Sequence, residues 1–341
     1  QRWSYIGDQA QRRRGFLSLT KPITRGIVTN WDAMEAIWTH CFETELSIDS
    51  TQHSVLVTQP AVIPTVTREK TAQVIFETFN APAMNMANQC LLALFAANQI
   101  TGLIISCGDG LTQVTASHEG IALPNCCNCI PIAGADITSF MAKRIAERAG
   151  DIDHEVVNDI KERHCSVALC YNAALFDIPP STRAAAAAAA VEPKSYELPD
   201  GQVVNIGNER VRSTEVLFQP AFVGMDATPG LSDAAFTAAA ACTADVREDL
   251  LGNVVLTGGT TLLPGFQTRV QRDLATRNAA AATATAAAAT TKVKVSAPAE
   301  RKYTTWIGGS VLASLSTFQS RWITKAEYEE VGPVIVHKKC F

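Results

Sequence analysis

Two short runs of β-branched residues in this chain end at glycines, as when a buried strand delivers a tight loop to a ligand. The first is Ile104–Thr112 (IISCGDGLT) and the second is Val254–Thr261 (VVLTGGTT). Glycines let backbone N–H groups approach phosphate oxygens. Each pattern is common by itself, but two in one chain predict a nucleotide held between two related halves.

The composition limits the classes of function. A chain of 341 residues can bury more than one core, so we expect two or more domains. The net charge of −4 leaves no broad basic face, which argues against direct binding of nucleic acid. No apolar run reaches the length of a membrane span, and no apolar leader opens the chain. We therefore expect a cytosolic or nuclear protein.

The elements that must position these loops alternate between helix and strand. Asn30 is expected to cap a helix that starts at Trp31, and a second helix follows Thr67 and stops before Pro82. A third, apolar helix is predicted from 84 to 97, leading into the strand that ends at the first glycine loop. This alternation is typical of an α/β fold.

Ten cysteines raise the question of a disulfide scaffold or a zinc site. The densest cluster is Cys126, Cys127 and Cys129. No second pair follows at the spacing of a zinc ribbon, and the nearby His154 and His164 do not complete a ligand set. We interpret the cluster as reduced thiols within a strand.

The carboxyl-terminal quarter carries the most specific motifs. They are ERKY at 300–303, WIGGS at 306–310, LASLSTF at 312–318 and VHKKCF at 336–341, joined upstream by KSYELPDG at 194–201 and IGNER at 206–210. Together they closely resemble actin, and the resemblance extends from Tyr5 to Phe341. It implies the duplicated ribonuclease H-like fold of actins, hexokinases and 70-kilodalton chaperones, an α/β fold with four subdomains around a nucleotide cleft.

The resemblance also implies a division of the chain. Subdomain 1 corresponds to 22–96 and 304–341, subdomain 3 to 97–132 and 228–303, and subdomain 4 to 133–227, while 1–21 is a remnant of subdomain 2. On this interpretation the chain lacks the family's amino-terminal phosphate loop. Two alanine-rich runs, 184–190 and 278–291, are interpreted as expansions of surface loops.

By resemblance, the first glycine loop is the second phosphate loop of actins. Gly108, Asp109 and Gly110 are then expected to bind phosphates, and Asp109 to bind magnesium or calcium weakly, through water. Ser106 stands where the family has an acidic residue. Because hard cations prefer charged oxygen ligands, this replacement should weaken the metal site.

The residues expected to handle the attacking water differ from the family's pair. Gln89 matches the glutamine that orients this water in actins, and Gln113 occupies the position of the neighbouring histidine. A glutamine cannot accept a proton at neutral pH as an imidazole can. The resemblance therefore implies a degenerate catalytic pair and slow hydrolysis.

The predicted adenosine pocket matches the actin residues more fully than the predicted metal site and catalytic pair do. Its residues by resemblance are Lys161, Glu162, Gly258, Gly259, Thr260 and Lys302. Three neighbouring positions depart from the family: Leu263 replaces an aromatic residue, and Asn158 and Ala135 each replace an arginine. ATP or ADP is thus the expected cofactor, with a pocket that has lost some of its contacts.

The resulting hypothesis is a cytoskeletal, actin-like structural or scaffolding protein that binds adenine nucleotide and hydrolyses it slowly. One alternative is a conventional filament-forming actin ATPase whose amino terminus is missing here. Another is a subunit of a dynein-associated, axonemal or chromatin-remodelling assembly. The expected partners are proteins: actin-like subunits, actin-binding proteins or a larger assembly, with no direct nucleic acid and no membrane. The expected location is the cytoplasm, with the cilium or nucleus as alternatives.

Overall fold

The computed structural model describes residues 5–171, 193–199, 201–285 and 292–340. The chain divides into two compact units, as the length predicts. The smaller unit contains residues 1–92 and 309–341, and the larger unit contains residues 93–308. The predicted division into four subdomains is finer than these two units and stays a prediction.

The described residues form the following strands and α-helices. The strands are β1 (Ile23–Thr24), β2 (Ile27–Val28), β3 (Val55–Gln59), β4 (Ala83–Asn88), β5 (Gly102–Cys107), β6 (Thr112–His118), β7 (Ile121–Ile130), β8 (Lys194–Glu197), β9 (Val203–Ile206), β10 (Val254–Thr257), β11 (Val295–Ser296) and β12 (Ile323–Thr324). The α-helices are α1 (Asp8–Arg12), α2 (Trp31–His40), α3 (Thr65–Gln73), α4 (Gln89–Ala96), α5 (Gly134–Ala149), α6 (His154–His164), α7 (Glu209–Arg212), α8 (Leu231–Ala240), α9 (Ala244–Gly252), α10 (Phe266–Thr285), α11 (Thr304–Ser314), α12 (Lys325–Val331) and α13 (Val336–Lys339).

The smaller unit is built on a three-stranded sheet in the order β12-β4-β3. β4 pairs parallel with β3 and antiparallel with β12. Its core includes Met84 and Met86 from β4, together with Phe76, whose ring stacks on Tyr328 at 4.5 Å. The predicted cap of α2 is confirmed, because the Asn30 side chain accepts a hydrogen bond from the backbone N–H of Ala33.

The prediction of one helix from 84 to 97 is wrong over its first five residues. Residues Ala83–Asn88 form β4, and only Gln89–Ala96 are helical. Every side chain of β4 is buried and the strand pairs on both sides, so tertiary packing overrides a sequence with no strong strand preference. Asn88 marks the change, since its side-chain oxygen accepts a hydrogen bond from the N–H of Cys90.

The larger unit is built on a five-stranded sheet in the order β11-β10-β5-β6-β7. β5 and β10 are parallel neighbours, whereas β5, β6 and β7 form an antiparallel meander. The first two are continuous apolar runs because both faces of the sheet are covered. Alanines of α8 are buried against this sheet, which allows the helix to pack closely on β6 and β7.

Strand β7 is the long edge of this sheet. It contains Pro124, which has no backbone N–H to donate. A register shift in the pairing of β6 with β7 lies between Thr115 and Ser117. The cysteines at 126, 127 and 129 lie in this strand, as predicted, and all ten cysteines of the chain are free thiols.

The two alanine-rich runs have different outcomes. The run at 184–190 lies outside the described residues. For the run at 278–291, the interpretation as a loop expansion is wrong up to residue 285, because α10 continues through Thr285. Alanine has the highest intrinsic helix propensity, so a helix already anchored by Phe266, Val270 and Leu274 can extend through it.

Within the described residues, none of the helices combines the length and apolarity needed to cross a membrane.

Candidate functional site

The two glycine loops leave the same end of two neighbouring strands in the larger unit. Ser106 of β5 stands in register beside Thr257 of β10, and each loop begins within two residues of this pair. Because parallel strands end at the same edge of a sheet, the loops emerge side by side. The side-chain hydroxyl of Thr260, in the second loop, donates to the carbonyl of Gly108, in the first loop, at 2.8 Å.

The start of α5 joins the same arrangement. The N–H of Gly134 donates to the carbonyl of Gly108 at 3.0 Å, and the N–H of Ala135 donates to the carbonyl of Asp109 at 2.8 Å. The two glycine loops and the start of α5 are therefore joined by two backbone hydrogen bonds and by the bond from the Thr260 hydroxyl. The predicted residues Gly108, Asp109 and Thr260 are brought together.

Two glycines in this arrangement are required by the chain itself. Gly258 has a φ of +92°, and a Cβ placed there would lie 2.2 Å from the carbonyl oxygen of Cys107. A Cβ on Gly134 would lie 2.7 Å from the hydroxyl of Thr260. Both glycines allow segments of the protein to approach one another, so neither requires a ligand to explain it.

Two other glycines have no such explanation. A Cβ on Gly108 would meet its nearest neighbour, the carbonyl of Leu111, at 3.8 Å, and one on Gly259 would meet only the Cγ of Lys302, at 3.9 Å. Neither residue has a positive φ. Both residues are half-buried, and the space that a side chain would occupy at each is open. Such openings suit the close approach of a ligand.

Asp109 presents an exposed carboxylate between Gly108 and the half-buried Gly110. Within the part of the chain that the structure describes, no group of three or more histidine, cysteine or acidic side chains could enclose a metal ion. A single exposed carboxylate fits the predicted weak binding of a cation through water better than direct coordination.

Lys161 and Glu162 have different environments. Lys161 is 5% exposed, and its ammonium group donates to the carbonyl of Gly134 at 3.1 Å and to the hydroxyl of Thr138 at 3.0 Å. Burial lowers the pKa of this lysine, an effect that the carboxylate of Asp109 opposes. Lys161 thus braces the start of α5 beneath the loops. Glu162 is exposed and accepts a hydrogen bond from the Asn158 amide at 3.2 Å.

Ser106 and Gln113, the two positions at which the resemblance predicts weakened hydrolysis, are direct neighbours. In the antiparallel pairing of β5 and β6, Ser106 lies opposite Gln113. Gln113 is 3% exposed, in the middle of the sheet. Gln89, the other residue of the predicted pair, is the half-buried first residue of α4 and belongs to the smaller unit. The sequence did not show that the serine and Gln113 form a cross-strand pair.

Beneath the first loop lies a buried thiol that sequence reasoning missed. The sulfur of Cys107 is 3.1 Å from the hydroxyl of Thr112, which donates to the carbonyl of Ile132 at 2.6 Å. Burial raises the pKa of Cys107 to about 12, so the group is a neutral thiol. Its position directly before the loop glycines was the available signal. The thiol is part of the support under the loop.

The family model for actin matches residues 2–341. The chain belongs to the actin family. The mixed α/β architecture agrees with the actin-type ATPase fold predicted from the sequence. The expectation that the family's amino-terminal phosphate-loop segment is missing is not borne out by this match, which begins at residue 2.

The three departures of this actin-family chain around the predicted nucleoside pocket have ordinary structural environments. Leu263 is buried in the core of the larger unit. Asn158 bridges the hydroxyl of Thr138 and the carboxylate of Glu162. Ala135 contributes its N–H to the first loop. All three residues therefore contact other parts of the protein itself.

Proposed function

We propose that this actin-family protein is a structural or scaffolding protein that binds ATP or ADP at its two glycine loops. The observation that carries the proposal is the open surface above Gly108 and Gly259, where nothing in the chain requires a glycine. One opening lies in each loop, and Thr260 joins the loops by a hydrogen bond. A ligand with a phosphate end and a planar end fits this pair of openings.

The residues at each opening suit one end of such a ligand. At the first loop, the backbone from Gly108 to Gly110 would lie against phosphate oxygens, and Asp109 would hold a magnesium or calcium ion through water. The N–H of Gly108 already donates to the carbonyl of Leu111 at 3.2 Å, so at this residue the ligand would meet the open backbone rather than that donor. At the second loop, the bare backbone of Gly259 and the exposed Glu162 and Lys302 would line the nucleoside. A bound nucleotide would stabilise the folded state by mass action without any turnover.

We further propose that hydrolysis is slow. Gln113 can orient a water molecule but cannot take its proton, and the hydroxyl of Ser106 beside it carries no charge to strengthen a metal site. The two replacements face each other across one strand pair, so they weaken the same part of the site. A bound nucleotide could then stabilise the fold without being turned over quickly, which is compatible with a scaffolding role.

Thermal unfolding of the purified protein tests the binding proposal. ATP and ADP, each with and without magnesium, should raise the melting temperature of the parent chain. Gly259→Leu should remove this shift by filling the space above the second loop while leaving the unliganded melting temperature nearly unchanged. Gly207→Leu is the matched control, because a Cβ there also meets nothing closer than 3.6 Å and lies outside the loops. No shift in the parent under any of the four conditions would contradict nucleotide binding.

The scaffolding role implies protein partners. Exposed apolar side chains support this part of the proposal: Trp306, in the first turn of α11, is 74% exposed, and Tyr303, directly before that helix, is 59% exposed. Native isolation followed by sedimentation and mass spectrometry tests it. A filament-forming protein sediments, whereas a subunit of an assembly migrates with other polypeptides, and migration as a lone monomer would contradict a scaffolding role.

A further inference from the structure

Two cysteines far apart in the sequence meet on one face of the larger unit. The sulfur atoms of Cys126 and Cys242 are 2.7 Å apart, although 116 positions separate the residues. Cys126 lies in β7, and Cys242 lies two residues after the end of α8. The separation exceeds the bond length of a disulfide, about 2.05 Å, by well under one ångström.

The elements that carry the two sulfurs are fixed to each other independently of the thiols. α8 packs on β7, and the side-chain amide of Asn128 donates to the carbonyl of Ala234 at 2.9 Å. Asn128 and Cys126 are two residues apart in one strand, so their side chains point to the same face, towards the helix. The packing of α8 on β7 therefore brings the two sulfurs together.

We propose that Cys126 and Cys242 are a site of oxidative modification, at which an intramolecular disulfide joins α8 to the edge strand β7. This inference does not depend on nucleotide binding, because neither residue belongs to the glycine loops. The oxidant is a peroxide. Cys242 is half-buried and Cys126 is 4% exposed, so the peroxide reaches Cys242 first.

The chemistry balances in two steps. Hydrogen peroxide transfers one oxygen atom to the sulfur of Cys242, which gives a sulfenic acid and one water molecule. The sulfur of Cys126 then attacks the sulfenic sulfur, and the hydroxyl group leaves with the proton of the Cys126 thiol as a second water molecule. In total, two thiols are oxidised by two electrons and one peroxide is reduced to two waters.

The environment makes this modification slow. Burial raises the pKa of Cys242 to about 12, and the neighbouring Cys126 acts in the same direction, whereas Arg247 opposes them. Little of the reactive thiolate is present at neutral pH. The pair should therefore respond to sustained oxidation over minutes to hours rather than to brief pulses of peroxide.

The test oxidises the full chain with hydrogen peroxide, blocks the remaining thiols with an alkylating agent and maps the peptides without reduction. A cross-linked peptide pair containing residues 126 and 242 should appear, and two of the ten cysteines should become resistant to alkylation. The melting temperature should rise by roughly 5 °C, because the cross-link restricts the unfolded chain. Dithiothreitol should reverse both changes.

Three variants decide the outcome. Cys242→Ser and Cys126→Ala should each abolish the cross-linked peptide and the rise in melting temperature. Cys129→Ser should retain both, since its thiol lies on the same strand but on the opposite face. A cross-link between Cys126 and Cys127 instead, no cross-link at all, or a thermal shift that persists in Cys242→Ser would overturn the proposal.

Discussion

The two glycine loops of the larger unit look alike in sequence but use their glycines differently. In the second loop, Gly258 is locked by a φ of +92° against the backbone of Cys107. In the first loop, Gly108 adopts an ordinary φ and would have space for a side chain. The second loop is therefore anchored by its first glycine, whereas the first loop closes a simple hairpin between β5 and β6.

This difference separates glycines that serve the fold from glycines that are available to a ligand. Gly258 and Gly134 allow parts of the chain to touch, and Gly108 and Gly259 leave backbone uncovered. A glycine-rich motif can contain glycines of both kinds, and only the structure distinguishes them. The same substitution is therefore expected to have very different effects on stability at the adjacent positions Gly258 and Gly259.

Gly258→Ala should have the largest effect on stability. The new Cβ would overlap the carbonyl of Cys107, and the left-handed backbone is strained for alanine, so the free energy of unfolding should fall by about 4 kcal/mol. Denaturant unfolding measures this, and Gly259→Ala, one position on, should change it by less than about 0.5 kcal/mol. If the two variants lost equal free energy of unfolding, Gly258 and Gly259 would not differ in their importance for the fold.

The double substitution Ser106→Asp with Gln113→His should restore turnover at the first loop. A positioned acid–base group contributes about 10²–10⁴ in rate, so phosphate release in a single turnover should rise by about 10²-fold. Ser106→Asp with Gln113→Asn is the control, since it restores the charge without an imidazole. If both double variants matched the parent, the cross-strand pair would not be what limits hydrolysis.

Lys161→Met should lower the free energy of unfolding by about 1–2 kcal/mol even without nucleotide. The substitution removes the hydrogen bonds that brace Gly134 and Thr138 beneath the loops. Glu162→Gln, on the exposed side of the same helix, should leave stability within about 0.5 kcal/mol of the parent. A stable Lys161→Met protein would mean that the lysine serves a ligand rather than the fold.

Gly108→Ala should have the smallest effect on unfolding, under about 0.5 kcal/mol, because the added methyl group meets only the carbonyl of Leu111 at 3.8 Å. It should nevertheless reduce the melting-temperature shift produced by ATP, since the methyl group occupies the approach to the loop. Differential scanning fluorimetry with a series of ATP concentrations measures both quantities. An unchanged ATP response would place the phosphates elsewhere.

Much of the fold could be predicted because local signals and packing agree. The β-branched runs before both loops are strands, and Asn30 caps α2 through its own side chain. The segment Ala83–Asn88 could not be predicted, because its strand conformation depends on pairing with β3 and β12, which are distant in the chain. The segment contains none of the β-branched or aromatic residues that favour a strand.

The candidate site divides in the same way. The sequence predicted that Gly108, Asp109 and Gly259 lie in loops at strand ends, as they do, since loop composition is a local property. Their part in a binding site stays a prediction. The sequence could not show that Lys161 turns inward to brace α5, because the spacing of a helix gives a face but not what covers it. The sequence also could not show that Ser106 and Gln113 form a cross-strand pair, because strand register depends on both the turn and the packing of the sheet.

The edge position of β7 has a consequence for behaviour in concentrated solution. Within the described residues, β7 is a ten-residue edge strand, and the row of backbone groups along its outer side is accessible to a second strand that approaches. Pro124 interrupts this row of donors, and the register shift opposite it bends the pairing. Pro124→Thr would add one N–H group to this stretch of the strand. The proline thus helps to keep monomers from joining sheet to sheet.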